Sequence, residues 1–170
     1  MRAALIGIVL MLATPAAADH APANPQSLSY KDDRSTPQEV VESYYNAINR
    51  NEYARAYSYF GQNDAPADFD KWEFGYSDTY WVDVHFGEIV VEGAAGSTYY
   101  SLPVHLTVER TEGQHAYFSG CYVLRLAQPA IQGVPFQPMH IVNARLDPAN
   151  ADATSFPDCT NATVDSAALR

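Results

Sequence analysis

The first regular pattern of apolar and polar positions begins after residue 35 and has helical spacing. Thr36 and Glu39 form a capping box with Pro37 between them, a combination typical of a helix N-terminus. Apolar side chains then recur on one face of a helix predicted over residues 37–49. These are Val40, Val41, Tyr44, Tyr45 and Ile48.

Two shorter helices are predicted between residues 53 and 75. The second helix carries apolar residues from Tyr53 to Phe60 and ends at Gly61, which suits a helix C-cap. After a loop at residues 64–67, aromatic residues predict a third short helix that ends near Gly75. They are Phe69, Trp72, Phe74 and Tyr76.

From residue 80 onward the apolar residues alternate with polar ones, which predicts strands. In the first strand the apolar positions 80, 82, 84 and 86 alternate with Trp81, Asp83 and His85, and residues 88–92 continue it after a break at Gly87. Residues 102–109 predict a second strand, residues 115–126 its hairpin partner, and residues 139–146 the last strand.

The connection of this hairpin, at residues 111–114, leaves two registers open. If Thr111 pairs with Gln114, His105 lies opposite Gly120 and Pro103 opposite Tyr122. A three-residue connection shifts the register by one and moves Tyr122 to the other side of the sheet.

Helices that precede consecutive strands indicate the α+β class. We therefore predict N-terminal helices packed on a curved antiparallel sheet of about four strands. The helices are expected to cover one sheet face, because each strand has one continuous apolar side.

Residues 36–49, TPQEVVESYYNAIN, and residues 53–57, YARAY, resemble the opening helices of the nuclear transport factor two-like superfamily. The resemblance implies a cystatin-like cone with a pocket between the helices and the concave sheet face, and pairing of domains through the convex face. The superfamily includes isomerases, dehydratases, cyclases and hydrolases as well as binding and scaffold domains, so the fold does not select a function.

The N-terminus has the features of a cleaved export signal. Met1 and Arg2 precede an apolar run of about 11 residues, shorter than the roughly 20 that a spanning helix needs. Small residues up to Ala18 follow, in the pattern that a signal peptidase reads. We predict a signal peptide at 1–18, an irregular lead-in at 19–35, the domain at 36–147 and a polar tail at 148–170, in a periplasmic or secreted protein.

Composition narrows the partners and the compartment. The net charge of −10 argues against nucleic acid and against anionic membrane surfaces, both of which need cationic protein. The two cysteines of an exported chain predict a disulfide between Cys121 and Cys159. It would close a loop of about 38 residues and tether the tail, contributing roughly 3 to 4 kcal/mol.

The candidate site is the pocket between helices and sheet. Six residues are expected to line it: Tyr45, Trp72, Tyr76, Trp81, His105 and Tyr122. For the aromatics around the third helix, ordinary core packing is the competing interpretation. Asp83 and His85 share one strand face and resemble an acid–base pair, but alternation places them on the outward side.

No catalytic residue is assigned, because no acid–base set can be assembled inside the predicted pocket. The histidines lack a metal-ligand spacing, so we expect no metal, and the sequence calls for no cofactor. We expect a non-catalytic exported domain that binds a small apolar ligand or a protein partner. The alternatives are a small-molecule isomerase, dehydratase or cyclase that uses a pocket acid or histidine, and a homodimeric assembly module.

Overall fold

The computed structural model describes residues 28–162, and the predicted signal peptide lies outside them. Three helices precede five strands in chain order. They are α1 (Pro37–Asn49), α2 (Tyr53–Tyr57), α3 (Phe69–Phe74), β1 (Thr79–Phe86), β2 (Val90–Ala94), β3 (Ser97–Arg110), β4 (His115–Ala127) and β5 (His140–Pro148). The five strands form one antiparallel sheet, which confirms the α+β class.

Helix α1 begins where the capping box predicts. The Thr36 side chain accepts a hydrogen bond from the Glu39 amide at 3.2 Å, and α1 has the predicted limits. The second helix is shorter than predicted and ends at Tyr57. The chain beyond it pairs with β5 instead, because the Ile141 amide donates to the Tyr59 carbonyl and the Gly61 amide to the Ile141 carbonyl.

The sheet has the order β1-β3-β4-β5, and β2 also pairs with β3. Phe86 of β1 pairs with Val104, and Val90 of β2 pairs with Ser101 further along the same strand. The prediction of about four strands therefore undercounts them by one. Strands β1 and β2 pair with successive parts of the same edge of β3, and the predicted break at Gly87 lies between them.

The β3–β4 hairpin uses the three-residue connection. The Arg110 amide donates to the Gln114 carbonyl, and the Gly113 amide donates to the Arg110 carbonyl. Gly113 has φ of 78°, a left-handed conformation that glycine adopts readily. His105 consequently lies opposite Ser119 and Tyr122 opposite Leu102, and the two-residue register is wrong.

The core lies between α1 and the side of the sheet that faces it, which we call the inner face. The inner face carries the even-numbered apolar residues of β1, β3 and β4. They are Val82, Leu102, Val104, Leu106, Val108, Tyr122 and Leu124, all buried. At Gly120 in this face, a Cβ atom would lie 1.9 Å from the Arg145 carbonyl oxygen, so the close approach of β5 requires glycine there.

Asn49 fastens α1 to the sheet. This buried side chain donates to the Val82 carbonyl at 2.9 Å and accepts from the Val82 amide at 2.8 Å. It thus makes with β1 the two hydrogen bonds that a neighbouring strand would make. The pair fixes the distance between the helix and the inner face.

The opposite side of the sheet, the outer face, is partly covered by the tail. Cys121 and Cys159 form the predicted disulfide, with Cα atoms 5.8 Å apart. Phe156 packs on the His105 ring with 4.5 Å between centroids, and His105 Nε2 lies 3.1 Å from the Ser155 carbonyl oxygen.

No helix between residues 28 and 162 has the length and hydropathy needed to cross a bilayer.

Candidate ligand-binding site

A cavity of about 650 Å³ lies between α3, α1 and the inner face of the sheet. This volume falls in the range of small-molecule sites, roughly 300 to 1,000 Å³. Its wall is mainly apolar and aromatic. The lining residues are Tyr45, Pro66, Ala67, Asp68, Lys71, Trp72, Gly75, Tyr76, Thr79, Val82, Leu106, Val108, Arg110, Phe118 and Leu146.

Helix α3 positions the aromatic part of this wall. The Asp68 side chain caps the helix by accepting from the Lys71 amide at 3.0 Å. Trp72 packs edge-on against Tyr57 and Tyr76, with ring centroids 5.2 and 5.3 Å apart. The short helix and the turn after it therefore place Trp72 and Tyr76 beside the cavity.

Four tyrosine hydroxyl groups form two hydrogen-bonded pairs at the inner part of the site. The oxygen atoms of Tyr44 and Tyr76 are 2.5 Å apart, and those of Tyr45 and Tyr122 are also 2.5 Å apart. We call them the tyrosine pairs. In each pair one member lines the cavity, namely Tyr76 or Tyr45, and the other lies behind it.

Either oxygen of each pair can be the donor, and we assign the direction from which members line the cavity. Only one hydrogen can lie between the two oxygens of a pair, so the second hydroxyl hydrogen must point elsewhere. Tyr44 and Tyr122 are buried behind the wall, where a hydrogen without an acceptor would be costly. We therefore assign Tyr44 and Tyr122 as the donors, and Tyr76 and Tyr45, which line the cavity, as the acceptors within each pair.

Burial also fixes the charge state of these phenols. Burial is the largest cause that raises the pKa of Tyr44, Tyr45 and Tyr122 well above the usual value, and it raises the pKa of Tyr76 as well. The phenols are neutral donors near pH 7 and cannot act as general bases there. The inner wall thus offers hydrogen-bond donors and apolar surface.

The ionised residues of the cavity lie at its mouth. Asp68 and Lys71 are exposed, and Arg110 is half-buried and forms an ion pair with Asp78. One oxygen of Asp68 is engaged as the helix cap. No histidine is among the lining residues of this cavity, which is formed within residues 28–162.

The structure brings together four of the six predicted pocket residues. Tyr45, Trp72 and Tyr76 line the cavity, and Tyr122 is joined to Tyr45 directly behind the wall. Trp81 and His105 lie on the outer face instead. They alternate with Val82 and with Val104 and Leu106, which face inward, so their side chains must point away from the cavity.

Asp83 and His85 occupy the outer face together with Trp81. The Trp81 indole N–H donates to the Asp83 carboxylate at 3.0 Å, and both Asp83 and His85 are exposed. His85 pairs across the strands with His105. Within residues 28–162, no group of three or more histidine, cysteine or acidic residues is arranged to hold a metal ion.

Several lining residues were not among the predicted ones. Leu106, Val108 and Phe118 have the alternation of inward-facing strand residues, so their position could have been inferred from the pattern. Lys71, Arg110 and Asp68 had no such signal, because only the packing of α3 beside the hairpin end of β3 places them at one opening.

Comparison with known proteins gives no further assignment. No protein-family model matches the chain, and no curated protein matches its sequence.

Proposed function

We propose that this protein is an exported, non-catalytic domain that binds a small apolar ligand in the cavity beside α3. The observation that supports this most is the cavity itself, about 650 Å³ in volume with Trp72, Tyr45 and Tyr76 in its wall. A ligand that fills such a site removes its own apolar surface and that of the cavity wall from water, which favours binding.

The polar groups of the cavity favour binding over catalysis. The Tyr45 and Tyr76 hydroxyls can donate hydrogen bonds to a ligand oxygen, and they remain protonated because burial raises the pKa of both. The lining carboxylate, Asp68, is exposed at the mouth and caps α3. General acid–base chemistry needs a titratable group near the reacting atoms with a pKa near the working pH.

The disulfide and the fold support the remaining parts of the proposal. The Cys121–Cys159 bond suits an oxidising compartment, which agrees with an export signal at residues 1–18. The order of three helices and an antiparallel sheet agrees with the resemblance to the nuclear transport factor two-like superfamily. We propose membership of that superfamily on this resemblance.

Calorimetric titration with two neutral apolar probes, decanol and adamantanemethanol, tests the binding function. The wild-type protein should bind at least one of them. Trp72→Ala should weaken that binding by roughly 1 to 3 kcal/mol, because it removes a large aromatic surface from the wall. Trp81→Ala is the matched control, since it makes the same truncation on the outer face and should leave binding unchanged.

Two results would contradict the proposal. If both probes fail to bind, or if Trp72→Ala and Trp81→Ala lose the same amount of binding affinity, the cavity is not the binding site. Turnover of a small molecule that disappears in Asp83→Asn or His105→Ala, with the fold intact by circular dichroism, would favour the enzyme instead.

A further inference from the structure

We infer that the ligand of the cavity is an amphiphilic anion, with an apolar body inside and a carboxylate or similar group at the mouth beside Lys71 and Arg110. The inference rests on the proposed binding function and adds the chemical class of the ligand. It follows from the distribution of charge around the opening.

Lys71 is unusual among the basic residues of this acidic chain. The protein has 20 acidic and 10 basic side chains, so carboxylates are plentiful. Among residues 28–162, every lysine and arginine except Lys71 and Arg125 is in ion-pair contact with a carboxylate. Arg125 donates to the Ser97 hydroxyl, whereas Lys71 lies exposed at the cavity mouth.

Arg110 supplies a second cation with donors to spare. Its Nη1 atom contacts the Asp78 carboxylate, and the guanidinium has five N–H groups in all. Because Arg110 also lines the cavity, its remaining donors are available to a group at the opening. The opposing charges are Asp78, paired with Arg110, and Asp68, whose Oδ1 atom already accepts from the Lys71 amide.

The inner wall determines which end of the ligand enters. It consists of apolar side chains and neutral phenols, so a carboxylate placed there would gain phenol hydrogen bonds at most and no counter-charge in exchange for its lost hydration. At the mouth the same group stays partly in water and meets Lys71 and Arg110. The charged end therefore lies outward and the apolar body inward.

A matched pair of probes separates this inference from the binding function itself. Adamantanecarboxylate and adamantanecarboxamide have the same apolar cage and nearly the same shape, but only the first is charged at pH 7.5. Both are titrated calorimetrically at low salt into the wild type, Lys71→Gln, Lys71→Glu and Arg145→Gln. Arg145 is an exposed outer-face residue on β5, so its variant changes the net charge equally but away from the mouth.

Lys71→Gln should weaken binding of the carboxylate about threefold to fivefold, the usual size of an exposed ion pair. Lys71→Glu should weaken it about tenfold, because repulsion replaces attraction. Neither variant should change binding of the carboxamide, and Arg145→Gln should change neither probe. The exposed position of Lys71 makes loss of the fold in these variants unexpected.

An unchanged carboxylate affinity in Lys71→Glu, or an equal loss for both probes, would overturn the inference while the binding function stands. If the wild type binds neither the two adamantane probes nor decanol, the binding function fails and the inference fails with it.

Discussion

Removing the Tyr45 hydroxyl should destabilise the protein mainly through the residue behind it. In the wild type the hydroxyl oxygens of Tyr122 and Tyr45 are 2.5 Å apart, and Tyr122, only 2% exposed, is the donor in our assignment. In Tyr45→Phe that donor has no acceptor, so we expect a loss of about 1 to 3 kcal/mol in the free energy of unfolding. Tyr122→Phe should cost less, about 0.5 to 1.5 kcal/mol, because it removes the donor of our assignment and leaves the acceptor, Tyr45, in the cavity wall with its own O–H.

The double variant Tyr45→Phe/Tyr122→Phe is the informative member of this cycle. It replaces both polar partners by apolar rings of nearly the same shape, so it should be no less stable than Tyr45→Phe alone. Urea unfolding with the disulfide intact measures all four proteins, and equal m values validate the comparison. Tyr99→Phe, on a half-buried residue of β3, serves as the control for losing a hydroxyl. Costs of the two single changes that add to within about 0.5 kcal/mol would refute the hydrogen-bond assignment.

Three further predictions concern the rest of the fold. Cys121→Ser/Cys159→Ser should lower the free energy of unfolding by roughly 4 kcal/mol from loop entropy, and equal urea midpoints for the variant and the oxidised wild type would contradict this. Asn49→Leu should lose about 2 to 3 kcal/mol in the free energy of unfolding, since it leaves both polar backbone groups of Val82 unpaired, and a loss below about 0.5 kcal/mol in the same assay would contradict the role of Asn49 in joining α1 to β1. The phenols of the tyrosine pairs have folded-state pKa values raised above 10.0, so their contribution to stability is present below pH 10 and is lost as the pH rises further. Phenolate absorbance should therefore show that these four tyrosines ionise only as circular dichroism reports unfolding. Ionisation of all twelve tyrosines near pH 10 in the folded state would contradict this prediction.

The helices and strands could be predicted closely because their signals are local. The Thr36 capping box places the start of α1, and the apolar alternation of β3 identifies its inward side. The predicted end of α2 was wrong because its last predicted turn pairs with β5, which is a tertiary contact. Local propensity contains no information about such a partner.

The candidate site was only partly predictable, and the reasons differ from residue to residue. Tyr122 could not be placed from the sequence, since a single residue in the hairpin connection decides which face it occupies. His105 could have been excluded, because it alternates with inward-facing residues in either register. Trp81 could have been excluded for the same reason, because it alternates with Val82, which faces inward.

Trp72 fluorescence in the Trp81→Phe variant tests the central claim most directly. The chain has two tryptophans, so this variant leaves Trp72, in the cavity wall, as the one reporter. Adamantanemethanol or decanol should change its emission in a saturable titration whose midpoint agrees with calorimetry, because the probe displaces water beside the indole. In the complementary variant Trp72→Phe the emission of Trp81 should stay constant. Constant emission from Trp72 up to the solubility limit of both probes would contradict ligand binding in the cavity.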